Sequence, residues 1–125
     1  MVDTLIALLE TFNYPVMRQG SLPPDTAYPA TFFTFWQRTE EGESYYDNQT
    51  ASVVYSFDVN VYSSDPETAY SLLASARKLL KQNGWVTPER GRDVSSDEAT
   101  HIGRGMNVQY LQYGADAEPE SNNQQ

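Results

Sequence analysis

A single histidine and no cysteine among 125 residues leave few routes to nucleophilic or metal catalysis. The histidine stands in D-E-A-T-H-I-G-R-G, residues 97–105, where Asp97, Glu98 and His101 are the best candidate set for approaching a metal ion. Neither their spacing nor their ligand types are diagnostic of a site, and a solvated turn leading into a strand accounts for the same residues. Gly103-Arg104-Gly105 invites comparison with phosphate-binding loops, yet G-R-G is neither the dinucleotide fingerprint nor the Walker loop, and it enters a strand where those motifs enter a helix. Glu40, Glu41 and Glu43, like Glu118 and Glu120, lie in polar stretches with no hydrophobic surround to raise a pKa, so they read as solvating charge. No catalytic residue, cofactor or metal site is therefore expected, and the chain is not read as an enzyme. Phe32, Trp36, Tyr45, Tyr46 and Tyr62 could stack on a sugar or a base, but aromatics on strands more often form a core or a subunit interface, and these five are read so.

The elements that must position these residues are organised around 51–85. In A-S-V-V-Y-S-F-D-V-N-V-Y-S, Val53, Tyr55, Phe57, Val59 and Val61 fall at every second position, the period of a strand with one buried face. The period then changes: Ala69, Leu72, Leu73, Ala76, Leu79 and Leu80 share one side of a helix. Asp65 suits the cap, Pro66 the first helical position, and Gly84 followed by Trp85 a Schellman ending.

Before this unit, Val2 to Phe12 reads as a short amphipathic helix with Leu5, Ile6, Leu9 and Phe12 on one face and Asp3 as its cap. Val16 to Gln19 suits a brief extended piece. Gly20 to Pro29 is too rich in turn residues for a regular element. Thr31 to Arg38, T-F-F-T-F-W-Q-R, is a strand by its aromatic and β-branched content, with Phe33 and Phe35 on one face and Phe32 and Trp36 on the other. Such a strand needs cover on both faces: a helix on one, a loop or another subunit on the other. Glu40 to Gln49 reads as a polar hairpin connection that makes 31–38 antiparallel to 51–63. Residues 86–99 hold two turn signals and at most a short strand. Thr100 to Tyr113 is a final strand in which Gly103 and Gly105 suggest a bulge or a close backbone approach.

The expected class is α+β: a mostly antiparallel sheet of three to five strands with two helices on one face. Residues 1–113 are one domain, long enough to bury about two-thirds of its unfolded surface, and 114–125 an acidic, amide-rich tail expected to be disordered. No apolar run approaches the roughly 20 residues of a membrane span, and the N-terminus lacks a signal peptide's basic start, which points to synthesis and folding in a cytoplasm. A net charge of −9 argues against gripping nucleic acid by its phosphates. Nine tyrosines suit surfaces that are wet before assembly and buried after it.

The run F-F-T-F-W (32–36), then Y-Y-D-N (45–48), V-N-V-Y-S-S-D-P-E (59–67), N-G-W (83–85) and D-E-A-T-H-I-G-R-G-M (97–106) resembles the small tail-completion and tail-terminator, or head–tail joining, proteins of long-tailed phages and prophages of Gram-positive bacteria. The resemblance covers roughly residues 5 to 112 in order and includes no catalytic signature. It implies a small α+β structural protein of the virion, assembled in the host cytoplasm as a ring, a homohexamer, that meets the major tail protein and head-completion proteins. DNA would pass its lumen without specific binding, and acidic side chains there would let phosphates slide. The subunit-interface residues expected on this reading are Phe32, Trp36, Tyr45, Tyr46 and Tyr62, with 20–30, 40–50 and 86–99 as arms. The competing reading is a small-ligand or peptide-binding module using the aromatic sheet face. A metal-dependent hydrolase built on His101 is a third.

Overall fold

The computed structural model describes residues 1–21, 27–46 and 49–113, with side chains described for all of these except 39–46, 49–52 and 113. Its elements are α1 (Val2–Glu10), β1 (Val16–Arg18), β2 (Thr31–Tyr46), β3 (Gln49–Ser63), α2 (Pro66–Gln82), β4 (Arg92–Val94) and β5 (Ile102–Tyr113). The strands form one sheet in the order β1-β2-β3-β5-β4, antiparallel except for the β1–β2 pair. The fold is α+β, with both helices on one face.

The period-2 pattern of 53–61 does what its spacing requires. Tyr55, Phe57, Val59 and Val61 are buried on the helix side, joined there by Phe33 and Phe35 from β2 and by Met106 and Val108 from β5. Leu5 and Leu9 of α1 and Ala69, Leu72, Leu73, Ala76 and Leu80 of α2 close that core. Each fully buried large apolar side chain contributes about 1.5–3 kcal/mol relative to exposure.

Both ends of α2 follow their local chemistry. The Asp65 carboxylate accepts from the Glu67 N–H at 3.2 Å and from the Thr68 hydroxyl at 2.8 Å. At the other end Gly84 has φ +90°, its N–H donates to Lys81 O at 3.2 Å, and the Trp85 N–H donates to Leu80 O at 3.0 Å, the paired bonds of a Schellman motif. In α1 the cap position is Met1, with no side-chain cap bond, and Asp3 lies inside the first turn. Its charge there favours the positive end of the helix dipole, so it assists the helix without capping it as the sequence suggested.

The central hairpin is longer than its polar composition indicates. Pairing of β2 with β3 runs from Thr31↔Ser63 to Tyr46↔Gln49, so most of the expected connection at 40–49 is strand. Irregularities between Gln37 and Thr39, between Gly42 and Ser44 and between Ser44 and Tyr45 absorb the mismatch. Main-chain pairing is indifferent to polar side chains as long as bulges can reset the register. The hairpin tip at 47–48, the segment 22–26 and the tail 114–125 lie outside the described residues.

Gly103 and Gly105 serve close approach, because β3 and β5 pair without a register shift past both. A Cβ on Gly103 would sit 2.7 Å from Val94 O, and one on Gly105 would collide with the Asn60 carboxamide. Gly103 lets β4 lie against β5, and Gly105 leaves room for Asn60 of β3.

Candidate functional site

The sheet face turned away from the helices holds every residue singled out as a possible interface or ligand platform whose side chain is described. Register places three rows across it: Phe32, Tyr62 and Gly103; Thr34, Asn60 and Gly105; Trp36, Asp58 and Asn107. The first row is aromatic and the next two turn polar.

At the aromatic corner Phe32 stacks on Tyr62 with centroids 5.4 Å apart, and Tyr28 meets Phe32 edge-on at 5.5 Å. His101 approaches both, 5.5 Å from Tyr28 and 6.1 Å from Phe32. Its Nε2 lies 2.8 Å from Pro29 O. A carbonyl only accepts, so Nε2 carries the proton. Nδ1, 2.9 Å from Thr100 Oγ1, is then free in the neutral ring to accept from that hydroxyl. Residues 96–101 are held in their turn by Ser96, whose hydroxyl accepts from the Glu98 N–H and donates to its carbonyl, and by the His101 N–H on Glu98 O.

This closure changes the expected interface. Phe32 and Tyr62 are only 3% and 7% exposed, covered by Tyr28 and His101 of their own chain, so the second face of β2 is half hidden by loops and needs no other subunit there. Trp36, two positions along the same face, is 54% exposed. Tyr45 and Tyr46 fall among side chains outside the description. The five residues do not form one outward patch: two are enclosed and one is open. The sequence shows the turn-rich composition of 20–30 and 95–101 but not that Tyr28 and His101 lie against Phe32.

Beside the aromatic corner lies a hollow of about 350 Å³, bounded by Met17, Gln19, Tyr28, Thr34, Asp97 and Glu98. Arg18 also borders it, and its guanidinium lies 5.2 Å from the Phe35 ring centroid. The Tyr28 phenol is held above its ordinary pKa, first by partial burial and then by the nearby Asp97 and Glu98 carboxylates. Gln19 Oε1 accepts from Thr34 Oγ1 at 2.6 Å and from Asn60 Nδ2 at 3.5 Å, locking the floor.

Further along the face, Asn107 Nδ2 donates to Ser56 Oγ, Phe57 O and Asp58 Oδ1, and Gln109 Nε2 donates to Asn107 Oδ1. Arg38 meets Asp58, the cross-strand register partner of Trp36, at 3.1 Å. Gln19, Asn107 and Gln109 were not singled out by sequence reasoning. Their signal was polar residues at the outward positions of the alternating strands.

Asp97, Glu98 and His101 do not gather into a ligand set, and among the described residues no three His, Asp or Glu side chains do. Both imidazole nitrogens are turned to Pro29 and Thr100. Arg104 of the G-R-G run points to the helix side, 3.0 Å from Asp93 and 4.5 Å from the Tyr70 ring centroid, so it belongs to the packing of α2 and β4. The arrangement offers an exposed indole on a polar sheet and a small acidic hollow. No protein-family model matches the chain, and neither does the sequence of any curated protein.

Proposed function

We propose that the chain is a structural assembly subunit, a tail-terminator or tail-completion protein of the kind its sequence resembles, forming a ring at the head–tail junction of a phage and working there in the virion. The observation that carries this reading is Trp36, more than half exposed on a sheet face where Phe32 and Tyr62, the other large aromatics among the described side chains, are covered. Tryptophan is among the residues enriched at the few positions that carry most of the binding energy of protein contacts. The long β2–β3 hairpin supports the same reading, as an arm that could reach a neighbour. On this reading the partners are further copies of the chain, the major tail protein and head-completion proteins.

The test uses tail tubes purified from the phage that carries the gene. Negative-stain microscopy after mixing should show capped tubes and rings of uniform diameter, and Trp36→Ala should remove capping while its circular dichroism stays native. Tubes left bare by saturating, folded protein would end this reading.

One observation favours a second reading, a binding module for a small organic cation: the hollow under Tyr28, whose Asp97 and Glu98 have no ion-pair partner among the described residues. Titration with a short alkylammonium, followed by tyrosine fluorescence, checks it. Saturable binding that Asp97→Asn weakens would favour the module over the assembly subunit.

A further inference from the structure

The outer strands of the sheet are short and sit at one end. β1 covers β2 only opposite Phe33, Thr34 and Phe35, and β4 covers β5 only opposite Gly103, Arg104 and Gly105, with Val86 bridging to Gln109. Among the described residues, β2 from Thr39 to Tyr46 and β5 from Tyr110 to Tyr113 therefore have no strand on their outer sides. The two open edges lie on opposite sides of the same three-stranded ribbon, level with each other through Gly42↔Val53 and Val53↔Gln112.

Charge divides along the same line. Residues 39–47 carry four carboxylates and no cation, whereas residues 77–92 carry five cations against the single carboxylate of Glu89. The basic stretch comprises the last turns of α2 and the chain that follows them along β5. Arg77 donates to Glu89 O at 3.2 Å and to Thr87 O at 3.5 Å, and Lys81, one turn further, lies on the same side of the helix. Lys78, Lys81 and Arg90 are exposed and have no ion-pair partner among the described residues.

An open strand edge is a template for another chain, and a bulged edge rich in glutamate resists pairing with its own like. Two β2 edges side by side would bring acidic stretches together, while β2 against the opposite side of a second copy brings acid to base. β2 and β5 both run antiparallel to β3 and so point the same way. Copies related by rotation can therefore continue the sheet from one subunit into the next. Such a contact joins two different surfaces, so it propagates, and it forms a ring where the rotation between neighbours closes, whereas an edge paired with itself would stop at a dimer.

We infer that the chain associates head to tail with a second copy of itself, the acidic outer edge of β2 docking against the basic side formed by the end of α2, residues 86–92 and the open end of β5. The inference rests on the assembly reading above and names the two surfaces that reading requires.

Reciprocal charge reversal tests it. E40K/E41K/E43K makes both surfaces basic, and K81E/R90E leaves the other side with no net charge, three cations against three carboxylates, so neither variant keeps the attraction for itself, while a mixture sets the acidic edge of one against the basic side of the other. In sedimentation velocity at protein concentrations up to about 1 mM, the wild type should associate, each variant alone should associate at least about tenfold more weakly, and an equimolar mixture should recover association. If the triple variant loses its native circular dichroism, E40K/E41K, which brings residues 39–47 to no net charge, replaces it in the mixture with K81E/R90E. Wild-type association that neither reversal weakens, or a mixture that fails to recover it, overturns these surfaces and leaves the assembly reading standing. A wild type monomeric throughout overturns the head-to-tail contact, and tube capping then decides the assembly reading separately.

Discussion

Phe32 and Trp36 are two residues apart on one strand face, yet they have opposite fates, and truncating them separates structure from function. Phe32→Ala removes a ring packed against Tyr28, Tyr62 and His101 and should cost about 3–5 kcal/mol in denaturant unfolding. Trp36→Ala should shift stability by about 0.5 kcal/mol or less, its effect appearing in assembly. Tyr28 gives a pH signature. Its phenol keeps its proton more tightly in the folded chain than the ordinary value of 10.0 allows, so the unfolded chain loses protons first as pH rises. Stability is then lost above the ordinary tyrosine pKa. Chemical denaturation across that range should show a steeper alkaline loss in wild type than in Tyr28→Phe, and equal slopes would count against the assignment. The aromatic type of these residues was legible from the sequence. Their exposure was not, because it depends on which loop lies over which ring.

At the scale of elements, α2 and the alternating strand before it were readable nearly to the residue, since period, cap and Schellman ending all pointed the same way. Asp65→Ala should cost about 1 kcal/mol by leaving first-turn N–H groups without their acceptor. Gly103→Ala should cost about 1–3 kcal/mol, because the new methyl meets the Val94 carbonyl, which moves only with β4. Thermal melts of both variants check these values. The distal hairpin was misread as a loop for a physical reason: its glutamates and glycine lower strand propensity, but pairing with a strong neighbour overrides propensity. The parallel placement of β1 against β2 carried no sequence signal. It depends on where the chain returns after 19–30.

Among the described residues, the helices take one sheet face and the chain's own loops take half of the other, leaving a polar field with an exposed indole and two strand edges that no other strand covers. Fold class was legible because apolar periodicity counts faces. The site was legible only as a list of aromatics, since no local pattern tells a self-covered face from an open one. If the subunits line a DNA passage, reversing several of the lumen carboxylates should slow DNA ejection, and unchanged ejection kinetics would count against an acidic lumen.

The bond from His101 to Pro29 also has a kinetic consequence, because its partners are 72 residues apart in sequence. A closure that spans so much chain gains little until the central strands are in place, so this corner should set late, after the folding barrier has been crossed. His101→Ala should then speed unfolding while leaving the refolding rate nearly unchanged in stopped-flow experiments, making the imidazole a latch on the native state's lifetime.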